Sequence, residues 1–350
     1  MNLIESLYDR YKEGNFLISP YSLKLALGMA RLGARGKTRE EMDLVLGADP
    51  PIIDDPSLSI ANRIWMRLRS KLQPDWLDTI QTKYNGDAKD ILNDPTPEAT
   101  INKWVNAHTK GKIPVLLSPG SLTSDDLIIL TNAIHFKDDW MYQFKGKYTQ
   151  KDDFYISETD TVKVDMMQLR GHDDRRLRYA ETHDLQILEL PYVGMKLSMV
   201  VLLPKSRTGT VPVDVISKIG MIMTYNARPK IVDVYFPKIK MKGSYSIGRD
   251  LVEMGMPTAF SNQANFRGMS SQELVKINKV IHKTFVDINE EGTEAAAATG
   301  VVFARLASAL PKPEERIIFR ADHPYVFLIR DIRTNTILFM GGINHPELLS

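Results

Sequence analysis

From about residue 125 onward the sequence is a succession of short apolar runs: "DLIILTNAIHF", "QILELPYV", "KLSMVVLLP", "VDVYFPKIKM", "IIFR", "PYVFLIRDI" and "TILFMGGIN". They are rich in Val, Ile, Leu, Phe and Tyr, and most are bounded by Pro, Gly or charged turns, so they read as strands. "LVKINKVIHKTFVDIN" reads the same way. Helical patterns come mainly earlier. In "SPYSLKLALGMARLG", Ser19 can cap with Pro20 at the first helical position; Leu23, Leu27 and Ala30 form the apolar face, and Gly33 can end it. "TINKWVNAHTKGKI" reads as a second helix, capped by Thr100, striped by Ile101, Trp104, Val105 and His108, and stopped at Gly111. "SIGRDLVEMGM" is a short helix between strands. Helices first and strands later predict an α+β fold with antiparallel or mixed sheets, not a βαβ wheel.

With 350 residues, 43% hydrophobic, the chain can bury a large core. No Pro/Gly/Ser-rich linker divides it, so a single domain over 1–350 is expected, as a monomer. The charge is balanced, 45 basic against 43 acidic residues, which gives no reason to expect nucleic acid or a membrane surface as partner. Cysteine is absent, which excludes disulfides, thiol catalysis and Cys-based zinc sites. Near the N-terminus Glu5, Asp9 and Arg10 stand where a signal peptide needs an apolar core, and runs such as "MVVLLP" are too short to span a bilayer. A cytoplasmic protein is expected, with unconventional release left open.

Familiar catalytic patterns fail. "GARGKT" lacks the first glycine of a phosphate loop, because that position is Arg31. The seven histidines show no metal-ligand spacing, and no GxSxG occurs. Neither a metal, a cofactor nor an enzymatic activity is expected.

"EEGTEAAAATG", Glu290 to Gly300, is the remaining anomaly. Ala and Glu favour helix, and a short surface helix is the plain alternative. At period 2 the run reads differently. Thr293, Ala295, Ala297, Thr299, Val301 and Phe303 share one face; Glu294, Ala296, Ala298, Gly300 and Val302 share the other. The first face is small and uncharged, then apolar. Such a strand can slip into an existing sheet with one face against a core.

"DINEEGTEAAAATG" resembles the hinge of inhibitory serpins. "NFLISPYSLKLALGMARLGARGKT", "INKWVNAHTKGKI", "LTNAIHFKDDW", "FPKIKMKGSYSIGRDLVEMGM" and "FRADHPYVFLIRDIRTNTILFMGGINHP" extend the likeness to nearly the whole chain. "FRADHPYVF" is most similar to the intracellular, ovalbumin-like branch. The resemblance implies three β-sheets, eight or nine helices and an exposed reactive-centre loop at about 290–316. It also implies suicide inhibition: a target protease forms an acyl-enzyme on the loop, and the cut loop inserts into the large sheet. Only "ADPPIIDDPSL" stands where the family usually has a longer stretch with an extra helix, so heparin activation is not expected. The first helix also looks truncated, and both shortenings are similar to those of poxviral serpins.

The resemblance further implies site residues. The hinge is Glu290, Glu291, Gly292, Thr293, Glu294, Ala295, Ala296, Ala297, Ala298 and Thr299. Counting fourteen residues from Gly292 places the reactive bond at Leu306–Ala307, suited to the hydrophobic slot of chymotrypsin-like proteases. Arg305 is the alternative reactive residue and would suit a trypsin-like pocket; cysteine proteases also remain open as targets. Phe303 and Ala304 would contact the protease too. Ser19, Ser22, Asn132 and His282 correspond to the polar cluster that controls sheet opening, and Trp140 to the position beneath the point where the loop enters. A non-inhibitory serpin, acting as carrier or chaperone, is the other reading; such relatives tend to carry bulky or charged hinge residues.

Overall fold

The computed structural model describes residues 2–68, 72–170, 175–270, 275–293 and 316–346. The chain forms two compact units, each assembled from three separate stretches. The first comprises Met1–Leu7, Leu17–His135 and Lys242–Phe285; the second Tyr8–Phe16, Phe136–Met241 and Val286–Ser350.

In the first unit the helix Pro20–Gly33 starts as its sequence dictates. Ser19 Oγ accepts the Ser22 amide at 3.1 Å, and Pro20 takes a position whose N–H has no helical use. The helix expected from Thr100 begins one turn sooner, at Pro97, and runs to His108. Thr100 lies inside its first turn and donates its amide to Thr96 O at 3.1 Å. Proline again opens the helix, and this first turn is polar, so it carries no stripe to reveal it. The chain leaves through Lys110 and Gly111, both in the left-handed region.

The sheet of this unit runs in the order Asp87–Asp90, Leu58–Met66, Ile128–Phe136, Ile277–Ile288. Ile128–Phe136 is buried along its whole length, so it reads as a mostly apolar run without alternation, interrupted by Thr131, Asn132 and His135. Its pairing with Ile277–Ile288 is parallel, from Ile277 opposite Ile128 to Phe285 opposite His135. Trp65, Ile129, Ala133, Ile281 and Phe285 form a core under Ile101 and Val105 of the Pro97–His108 helix. That helix lies across both partners of the parallel pair.

The second unit carries a sheet ordered Ile337–Ile343, Tyr325–Asp331, Leu197–Pro204, Leu185–Pro191, Leu177–Glu181, Arg228–Lys230. A four-stranded sheet follows the order Ile317–Arg320, Val232–Pro237, Thr161–Leu169, Gln150–Tyr155. Val232–Pro237 pairs parallel with Ile317–Arg320 and antiparallel with Thr161–Leu169, so the sheet is mixed. Arg330 and Glu189 form a buried ion pair: Arg330 donates to Glu189 Oε1 at 2.6 Å, and Ser198 Oγ donates to the same oxygen at 2.7 Å.

The fold is α+β with three sheets. Seven α-helices and three 3₁₀ turns occur among the described residues, against the eight or nine helices expected. The short stretch between the helix Gly36–Leu46 and the strand Leu58–Met66 holds no helix. Pro50, Pro51 and Pro56 remove three donors there.

Candidate functional site

Four of the sequence-derived residues come together in the first unit. Ser19, Ser22, Asn132 and His282 are fully buried. Asn132 and His282 stand opposite each other in the parallel pair. His282 Nε2 accepts the Ser19 amide at 3.0 Å, so the imidazole proton is on Nδ1 and is donated to Asn132 Oδ1. Ser22 Oγ donates to the same oxygen at 2.9 Å. The Tyr245 ring stacks on the imidazole at 6.2 Å. Burial pushes the His282 pKa down from 6.5 to about 3, which keeps the ring neutral.

Asn62 completes the cluster and was not anticipated from sequence. It accepts from Asn132 Nδ2, and its own Nδ2 donates to Ser22 O at 3.4 Å. The signal was one amide inside the apolar strand "LSIANRIWM". A buried amide must find partners, but the pattern cannot say which.

The second unit holds Trp140 with the first residues of the segment expected to be the hinge. Asn289 to Gly292 make a tight reversal: the Asn289 amide donates to Gly292 O at 2.9 Å, and Asn289 Oδ1 accepts the Glu291 and Gly292 amides at 3.0 and 3.3 Å. The strand Gly292–Thr293 then pairs antiparallel on both sides. Thr293 faces Ile288 on one neighbour and Asp138 on the other, and Gly292 faces Asp139. A Cβ on Gly292 would lie 2.2 Å from Asp138 O, so only glycine permits this approach. Thr293 is fully buried, its Oγ1 2.9 Å from the Tyr192 hydroxyl.

Trp140 stacks on Tyr192 with ring centroids 4.6 Å apart. Its indole N–H donates to Asn289 O at 3.0 Å and its amide to Glu291 O at 2.8 Å. Glu290 pairs with Lys238 at 2.9 Å and accepts from Thr149 Oγ1 at 2.7 Å. Burial pushes the Glu290 carboxyl up, but these two partners outweigh it and hold the carboxyl below its ordinary range. Tyr192 also escaped the sequence reading, since nothing local distinguishes it from an ordinary core tyrosine. Glu294, Ala295, Ala296, Ala297, Ala298, Thr299, Arg305, Leu306 and Ala307 lie outside the described residues.

The sequence pattern of the Serpin (serine protease inhibitor) family matches residues 1–346. The chain belongs to the serpin family. Leukocyte elastase inhibitors of Xenopus laevis and Bos taurus are 34% and 35% identical to this serpin, each alignment covering 99% of its chain and 97% of theirs. Among solved structures, uncleaved ovalbumin is similar with a TM-score of 0.82 at 27% identity, over 98% of this serpin and 96% of ovalbumin. The family is one of inhibitors rather than of enzymes. Among the described residues of this serpin, no group of three or more His, Cys, Asp or Glu could hold a metal ion, and no helix is long and apolar enough to cross a membrane.

Proposed function

We propose that this serpin inhibits serine proteases by suicide covalent trapping, with Leu306–Ala307 as the reactive bond. The protease serine attacks the Leu306 carbonyl. An ester forms, the peptide bond breaks, and the Ala307 amine leaves with a proton from the protease's general acid. The freed strand then inserts, drawing the acylated protease with it before water can release the ester.

One observation carries this reading: Gly292 and Thr293 already occupy a strand position between two neighbours. In sequence, Thr299 comes six residues after Thr293, His282 six before Ile288 and Asn132 six before Asp138, and His282 and Asn132 are themselves paired in the sheet. The equal spacing supports one slot for the inserting strand. The inserting strand would run antiparallel to both neighbours, replacing one parallel ladder by two antiparallel ones. Antiparallel pairing is the more stable per residue, and each added hydrogen bond gains about 0.5–1.5 kcal/mol net. Ser19, Ser22, Asn62, Asn132 and His282 then act as the catch that must open at the middle of this slot.

Leu306 as primary residue fits chymotrypsin-like proteases, and two of the similar relatives are named as inhibitors of an elastase. Action as a cytoplasmic monomer without heparin belongs to the same proposal. Incubation with chymotrypsin should give a complex that survives boiling in detergent. Thr293→Arg puts a charge where the strand is fully buried, at a cost of several kcal/mol if unpaired. This variant should be cleaved as a substrate instead. Equal trapping by the variant and the native protein would sink the insertion mechanism. Mass spectrometry of the released peptide tests the bond itself, because a product beginning at Leu306 would make Arg305 the primary residue.

A further inference from the structure

The parallel pair is fastened at its far end by side chains that none of the functional reading has used. The Ile277–Ile288 strand carries a bulge: Ile277 faces Ile128 and Lys279 faces Ile129, so Asn278 has no partner in the ladder. Its side chain takes over the pairing. Asn278 Oδ1 accepts the Leu127 and Ile128 amides at 3.0 and 3.3 Å, and Nδ2 donates to Asp125 O at 3.0 Å. One amide thus satisfies the first backbone groups of the neighbouring strand. Lys279 follows immediately. Its ammonium lies 3.0 Å from Asp126 Oδ2 and donates to Ser121 O. The Asp126 carboxylate is nearly buried and also accepts the Thr123 amide at 2.8 Å. Two adjacent residues of one strand therefore hold the turn that launches the other.

We infer that Asn278 and Lys279 form a terminal lock on the parallel pair, a positioning device for complete insertion. The inference rests on the insertion proposed above. A strand that begins beside Ile288 separates the pair from that end, and to part it fully it must break the Asn278 and Lys279 bonds last. Apart from the His282–Asn132 side-chain bond, the pair is held by ladder hydrogen bonds, which the two ladders of an inserting strand replace. The lock's bonds are side-chain bonds made to the turn, which an inserting strand has no means to reproduce. The lock therefore stabilises the intact form and is absent from the inserted form. A merely structural role would stabilise both alike.

That difference is measurable. The proteins compared are the native chain, Lys279→Met, which keeps the apolar stem and removes the ammonium, and Asn278→Ala, which leaves two strand amides without an acceptor. Each is melted intact and after loop cleavage by a non-target protease, with cleavage confirmed by mass. A variant that folds poorly leaves the other to decide. The expected result is a lower midpoint for each intact variant and an unchanged midpoint for each cleaved one. Conversion of intact protein to an inserted form on mild heating should be about ten-fold faster in either variant, the effect of losing one charge-assisted or doubly shared hydrogen bond. Equal lowering in intact and cleaved forms, or no lowering in either, would overturn the lock. Failure of the native protein itself to gain stability on cleavage would overturn the insertion mechanism and the lock with it, and that outcome is read from the native protein alone.

Discussion

Lowering the pH from 7.5 to 5 should weaken the intact protein chiefly through His282. The groups bonded to or stacked on its ring, the Ser19 amide, the Asn132 side chain and Tyr245, are all neutral. Burial holds the pKa at about 3 and outweighs the Asn132 bond, the one neighbour that favours a protonated ring. In the unfolded chain a histidine titrates near 6.5. Between these values the unfolded state holds a proton that the folded state refuses. The contribution is therefore complete above about pH 6.5 and shrinks as the pH falls towards 3. The slope is about 1.4 kcal/mol per pH unit, so the loss at pH 5 is ~2 kcal/mol. Urea melts of the native protein and of His282→Gln at both pH values would measure it. The variant should start less stable at pH 7.5 and lose far less on acidification, because glutamine has nothing to titrate. Glu290 and Asp331, whose carboxyls are held below their ordinary range, take up protons only further down, and equally in both proteins. An equally steep pH dependence in His282→Gln would refute the assignment of the acid sensitivity to this ring.

Three further outcomes are expected. Gly292→Ala would bring a Cβ to 2.2 Å from Asp138 O and 2.6 Å from Asp139 Cα; backbone cannot yield cheaply, so about 1–3 kcal/mol of overpacking should raise the number of inhibitor molecules consumed per protease. Trp140→Phe keeps a ring against Tyr192 but leaves Asn289 O without its donor; a loss of about 1 kcal/mol in urea is expected, and a loss of several would mean that the packing, not the hydrogen bond, holds the hinge. Leu306→Ala should slow association with chymotrypsin by about ten- to a hundred-fold, the worth of a Leu side chain in an apolar pocket, and an unchanged rate would move the reactive bond elsewhere.

Much of the fold was legible because its signals are local. Ser19 and Pro20 start a helix through bonds made within three residues. The buried runs Leu197–Pro204, Tyr325–Asp331 and Ile337–Ile343 announce themselves by their apolar content. The smooth alternating face that begins at Thr293 could likewise be read at period 2, and its first residue lies in a sheet. The strands "DAKD" and "QKDDFY" could not be read this way. They stand at sheet edges, where backbone hydrogen bonds define the strand and the charged side chains face water, so no apolar alternation marks them. The site divides along the same line. Its hinge motif is contiguous and visible in the sequence, whereas Asn62 meets Asn132 across 70 residues and Tyr192 meets Thr293 across 101. A buried polar group requires a partner, and the sequence states that requirement; which partner it finds is decided only when the sheets bring distant strands to one register.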